Sequence, residues 1–130
     1  MRAGRWHDAG RPLTYLSGTP AGALLEFLAS LEIRPERIPQ SFPLLRITCP
    51  ESISRLELDP SQLSPDWIKN TRETRAYGNK WLSKAETAML VVPSALCPET
   101  WNWLLNPRHP EAALVQVKER TNPMLDIRLL

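Results

Sequence analysis

The chain is short of the groups that announce the commonest chemistries. It has two cysteines, Cys49 and Cys97, far apart and without a CxxC pattern or a nearby histidine. A disulfide framework or a zinc site needs more ligands at closer spacing, so no metal is expected, and reduced thiols in a cytoplasmic protein are. Neither GxGxxG nor a Walker A sequence is present, which excludes both standard phosphate loops. There is no GxSxG elbow of a serine hydrolase. The net charge is +2 with signs interspersed, so no basic field points to nucleic acid. The longest apolar run, around Ala88 to Cys97, is too short and too interrupted to span a membrane. No apolar h-region follows Arg2 and Arg5, so no secretory signal is read.

What is there describes a single globular domain. At 130 residues and 42% hydrophobic content the chain can bury a core. Its 13 prolines argue for short elements joined by stiff turns, not for a helical bundle. The five tryptophans are not interleaved with basic residues, and are read as core and interface fillers.

The stretch Gly4 to Ser30 organises the rest. It sets a cation, a phenol and a carboxylate on three successive elements. Arg5 lies in the short segment Gly4-Arg5-Trp6, and Gly10 and Pro12 mark a turn. Leu13 to Leu16 reads as a strand carrying Tyr15. Thr19 is a good N-cap and Pro20 suits the first helical position, predicting a helix from Pro20 to about Leu31. Glu26 falls in its middle, with Gly22, Ala23, Ala29 and Ser30 at the positions where a surface helix would place a pairing cation. Two readings stand: a solvated carboxylate on an Ala-rich face, or one left accessible to a ligand hydroxyl or to Arg5.

Further along, Arg34 to Pro43 reads as a loop, Leu44 to Cys49 as a strand, and Ile53 to Leu58 as an edge strand. Ser64-Pro65 predicts a short helix carrying Trp67 and Ile68, and Thr74 to Lys84 a helix that tolerates Gly78. Ala88 to Val92 is the clearest buried strand. Pro98 to Leu105 is read as a helical turn, Asn106 to Pro110 as a rigid loop, and Ala113 to Val117 and Leu125 to Leu129 as final strands. Ser94, just after the buried strand, is either a turn serine or a site residue. His109, flanked by proline, is either a satisfied loop residue or part of a triad with Ser94 that no spacing supports.

Seven short motifs then occur in order: Gly4-Arg5-Trp6, Thr14-Tyr15-Leu16-Ser17, Ala23-Leu24-Leu25-Glu26, Gly78-x-x-Trp81-Leu82, Val92-Pro93-Ser94-Ala95, Asn106-Pro107-x-His109-Pro110 and Asp126-x-Arg128-Leu129. Together they resemble the RES domain family, named for its Arg, Glu and Ser, over nearly the whole chain. The resemblance implies one mixed α/β (α+β) domain over residues 1–130, related to ADP-ribosyltransferase toxins, with a central β-sheet, flanking helices and a cleft for NAD. It implies the toxin half of a bacterial toxin–antitoxin pair that degrades NAD, with inorganic phosphate as co-substrate in a phosphorolysis. The alternatives it leaves open are ADP-ribose transfer to a protein and a non-catalytic module that only binds the antitoxin. The partner it implies is an Xre-like, helical DNA-binding antitoxin that blocks the cleft, in a homodimer or larger assembly, without direct nucleic-acid or membrane binding.

The family's named residues map onto Arg5, Glu26 and Ser94, with Tyr15, Asn106 and His109 as further NAD-binding residues. NAD is substrate here, and no cofactor is implied. Members carry a further segment before the Gly-Arg-Trp motif, so the resemblance also implies that this chain lacks that segment.

Overall fold

A computed structural model describes residues 2–30 and 39–126. In chain order these form β1 (Thr14–Ser17), α1 (Pro20–Ser30), β2 (Leu44–Thr48), β3 (Arg55–Glu57), α2 (Thr71–Lys84), β4 (Met89–Pro93), β5 (Trp101–Leu105) and β6 (Gln116–Thr121), with 3₁₀ turns at Pro60–Gln62 and Pro110–Leu114. The fold is mixed α/β, as expected. β1, β5, β4 and β3 make a four-stranded sheet in that order, while β2 and β6 pair as a separate antiparallel ribbon with a register shift between Arg46 and Ile47.

β4 is the spine because it is apolar at every position and therefore tolerates burial on both faces. All five of its residues are buried. Leu90 and Val92 join Trp6, Leu58, Trp67, Trp81 and Leu104 in one cluster, and Met89 joins Ile53, Ala88 and Leu105 in another. Each such side chain taken fully out of water stabilises the fold by about 1.5–3 kcal/mol. β3 runs parallel to β4 and β5 antiparallel to it. The parallel pair requires a crossover, and α2 supplies it. β3 is an edge strand, as its alternation predicts, with Ile53 and Leu58 buried at its flanks.

The two helices are fixed by their caps. In α1, Thr19 Oγ1 accepts the Gly22 N–H at 3.0 Å, and Pro20 fills the first position. The predicted end at Leu31 lies outside the described residues. α2 starts earlier than Thr74 because Asn70 caps it: its side chain accepts the Glu73 N–H at 3.2 Å, and Asn70 Nδ2 reaches back to Glu73 at 3.4 Å. Thr74, Gly78 and Trp81 form its buried stripe.

Three expected elements take other forms. Ser64-Pro65 does not open a helix. The Ser64 N–H and hydroxyl both turn to the Glu73 carboxylate, and Pro65 to Lys69 make successive turns closed by Trp67 N–H to Ser64 and Lys69 N–H to Asp66. Pro98 to Leu105 is not helical: Trp101 to Leu105 is strand β5, since its aromatic, alternating residues pair on both sides with β1 and β4. Ala113 and Leu114 end a 3₁₀ turn capped by His109, whose Nδ1 accepts the Glu111 N–H at 3.0 Å, and the strand begins only at Gln116. Most of the Leu125 to Leu129 strand and half of the Arg34 to Pro43 loop lie outside the described residues; Leu125 N–H bonds Gln40 O at 2.8 Å and Met124 bridges Ser41. Cys49 and Cys97 are both free and exposed. Among the described residues no helix is long and apolar enough to cross a membrane.

Candidate functional site

A cleft of ≈ 650 Å³ opens between α1, β1, the Gly4 to Trp6 segment, the first turns of α2 and the loop after β4. The small residues noted around Glu26 explain the opening: Ala23, Ala29 and Ser30 line it beside Glu26 without filling it.

Glu26 is held from the sheet. The Ser94 hydroxyl donates to Glu26 Oε1 at 2.8 Å, and Asn102 Nδ2 donates to the same oxygen at 2.7 Å. Charge-assisted bonds of this kind are about twice as strong as neutral ones. Ser94 is 3% exposed, and its oxygen also accepts the Leu96 and Cys97 N–H groups at 3.2 and 3.3 Å. Its donor and its lone pairs are thus spent inside the protein. It closes the turn between β4 and β5 and orients the carboxylate, and both described bonds to Glu26 fall on Oε1. The reading of Glu26 as a solvated surface carboxylate fails, because the sheet grips it. The reading of it as the partner of Arg5 fails as well: no ion pair joins them among the described residues.

Arg5 lies on the opposite wall. Its Nη1 donates to Ile68 O at 2.8 Å, and its backbone carbonyl accepts the Thr74 hydroxyl at 2.6 Å. Burial pushes its pKa down, with Arg75 adding to the shift, while the Glu26 carboxylate and Tyr15 oppose it. The neighbouring Trp6 is buried against Trp67 and Tyr77, with ring centroids 6.3 Å from each, which anchors the segment.

Tyr15 is 41% exposed through its ring, yet its hydroxyl end is tucked inward. The oxygen accepts the Trp6 N–H at 3.1 Å and bonds His7 Nδ1 at 2.8 Å. Burial pushes the phenol up to about 12, with the Trp6 N–H and the Arg75 and Arg5 charges opposing and Glu26 reinforcing. It stays neutral at physiological pH and offers a ring face to the cleft. Gly4 is glycine because a Cβ there would lie 2.8 Å from Tyr15 Cζ and closer still to its oxygen.

His7 is buried, and burial holds its pKa below the usual value, reinforced by Arg75 and opposed by a backbone hydrogen bond to Arg2 and by Asp8. A depressed pKa means the unfolded chain takes up the proton first as pH falls. Stability is therefore expected to be full above pH ~6.5 and to decline as pH drops below it. Urea titrations between pH 7.5 and 5 should show that slope, and should show it reduced in His7→Asn; an identical slope in the variant would refute the assignment.

Asn106 and His109 lie elsewhere. Asn106 is buried at the far end of β5, where its Oδ1 accepts the Arg108 N–H at 3.1 Å and its backbone N–H bonds Ala88 O at 2.9 Å. His109 caps the following 3₁₀ turn. Neither lines the cleft. Both build the turn that follows β5. Two residues absent from the sequence reading do belong: Asn102 holds Glu26, and Arg75 lines the cleft beside Arg5. Asn102 was hidden by the helical reading of its segment. Arg75 lies one helical turn before Gly78 on α2, and nothing in the sequence marks it as a site residue.

The structure thus defines a mixed α/β domain whose sheet aims one carboxylate into a cleft walled by arginine and tyrosine. The chain belongs to the RES domain family, whose model matches residues 1–126. It is similar to Toxin Res of Pseudomonas putida (strain KT2440), 46% identical over 121 residues that cover 92% of this chain and 82% of that protein. It is also similar to the Prs ADP-ribosylating toxin of Sphingobium sp. (strain YBL2), 29% identical over 134 residues covering 100% of this chain and 82% of the relative. Toxin Res of Photorhabdus laumondii is 36% identical over 110 residues, 82% of this chain and 68% of its own length.

Proposed function

We propose that this protein is the toxin of a toxin–antitoxin pair and that it depletes NAD by cleaving the nicotinamide–ribose bond with phosphate as acceptor. The observation that carries the reading is the Glu26 carboxylate, fixed by Ser94 and Asn102 at the edge of an open cleft. Cleavage of that glycosidic bond builds positive charge on the ribose, as in glycoside hydrolysis. A carboxylate already oriented stabilises that charge without reorganising. The carboxylate accepts a hydrogen bond from a ribose hydroxyl. Arg5 meets phosphate oxygens with its planar fork. The exposed face of Tyr15 stacks on the nicotinamide ring. Phosphate then forms a bond to the anomeric carbon as the nitrogen–carbon bond breaks, and neutral nicotinamide leaves with the bonding electrons. Ser94 acts through Glu26 and is a positioning residue in this scheme. The partner is a helical antitoxin that covers the cleft.

Purified protein incubated with NAD is expected to release nicotinamide only when phosphate is present, together with ADP-ribose phosphorylated at the anomeric position. Equal loss of NAD with and without phosphate would mean hydrolysis. The similarity to a relative named an ADP-ribosylating toxin supports a second outcome, the transfer of ADP-ribose to a protein, which labelled NAD in a lysate would display as a labelled band.

A further inference from the structure

Two guanidinium groups face the cleft, and among the described residues neither is in ion-pair contact with a carboxylate. Arg5 Nη1 donates to Ile68 O, and Arg75 Nε donates to Gly4 O, each at 2.8 Å. Backbone carbonyls orient both forks without neutralising either. Two like charges on walls of one cleft repel; burial is the main cause that lowers the proton affinity of Arg5 and His7, and Arg75 adds a smaller contribution to each, which for Arg5 the Glu26 carboxylate opposes. Their bonding leaves further N–H groups of each fork for a ligand, since a guanidinium carries five.

The space on either side of Arg75 narrows the choice of anion. Beyond it a second groove of ≈ 350 Å³ is lined by Asp8, Thr71, Arg72 and Asn79, and shares Thr71 and Arg75 with the main cleft. Arg75 therefore stands where the two spaces meet. A group held there has room to continue in both directions, which suits an esterified diphosphate better than a free phosphate ion.

We infer that Arg5 and Arg75 together clamp the diphosphate of the substrate, with Arg75 as a binding residue in addition to those the RES motifs name. The clamp deepens the NAD reading, and rests on it for what is attached to the diphosphate, but the anion site itself is testable without turnover.

ADP is the probe. Calorimetric titration of the intact protein with ADP should show binding, weakened about 10- to 100-fold in Arg75→Gln, the range for losing one hydrogen-bonded charge. Inorganic phosphate, which meets the two forks less well, should bind at least about tenfold more weakly than ADP to the wild type. Arg75→Lys retains charge and a donor toward Gly4 O, and so keeps the test open if the glutamine variant melts early; losing the fork should still weaken ADP about tenfold. Unchanged ADP affinity in either folded variant, equal affinity for phosphate and ADP, or no ADP binding by the wild type would each overturn the clamp. Arginine-dependent ADP binding without any NAD cleavage would support the clamp and count against the catalytic reading alone.

Discussion

Glu26→Gln is expected to lower NAD cleavage by about 10²–10³-fold, the usual cost of one electrostatic contact made at the transition state. The amide keeps the volume of the carboxylate, and its oxygen still accepts from Ser94 and Asn102, so α1 and the β4–β5 turn have no reason to move. The helix loses no ion pair, because Glu26 makes none among the described residues. What disappears is the negative charge that the proposed mechanism sets against the ribose. Ser94→Ala tests the same arrangement from the other side. It removes one of two donors to Oε1 and leaves Asn102 in place, so a smaller loss, about tenfold, is expected in kcat. Its cost to stability should be the larger of the two, because the Leu96 and Cys97 N–H groups lose their acceptor. Turnover and thermal melting on both variants separate the roles. A Glu26→Gln protein that melts far lower yet cleaves NAD at the wild-type rate per folded molecule would remove Glu26 from the chemistry.

Much of this arrangement was legible in residue order. The Thr19-Pro20 cap placed α1, the apolar run at Ala88 placed β4, and the small residues around Glu26 announced an approachable carboxylate. These signals are local, and local chemistry decided the outcome. The misses share a different origin. Trp101 to Leu105 carries too short a pattern to separate strand from helical turn, and only its two flanking strands settle it. Ser64 carries the signature of a helix cap, but a carboxylate nine residues later, on α2, competes for its hydroxyl and wins. Asn106 and His109 stand in one of the seven family motifs, yet a buried amide and a proline-flanked histidine are equally what a tight turn needs, and here they close one. Arg75 could not be singled out at all, since an arginine on a polar helix face looks the same whether it meets water or a cleft.

The largest stability effect should come from Gly78→Ala, a change that looks favourable by helix propensity. Alanine at an interior helical position gains about 0.5–1 kcal/mol over glycine. Against this, a Cβ at Gly78 would lie 2.8 Å from the carbonyl carbon of Trp6, closer still to its oxygen, and 3.2 Å from its Cβ. The obstructing atoms are backbone, so no rotamer change relieves them. Nor can the segment retreat freely. The Thr74 hydroxyl holds the Arg5 carbonyl at 2.6 Å and Arg75 holds the Gly4 carbonyl at 2.8 Å, so one face of α2 grips three successive residues. Behind Trp6 stands the main core cluster with Trp67, Trp81 and Leu90. Relief requires the helix and the segment to separate, opening that core and carrying Arg5 away from the cleft. A loss of about 3–5 kcal/mol is expected, above the usual cost of overpacking because the obstructing atoms are backbone, with a drop in Tm of roughly 10 °C or more. Tryptophan emission should shift to the red as Trp6 meets water, and NAD cleavage should fall with it although residue 78 touches no substrate. A Gly78→Ala protein melting within about 2 °C of the wild type would show that α2 and the Gly4 to Trp6 segment are not packed backbone to backbone.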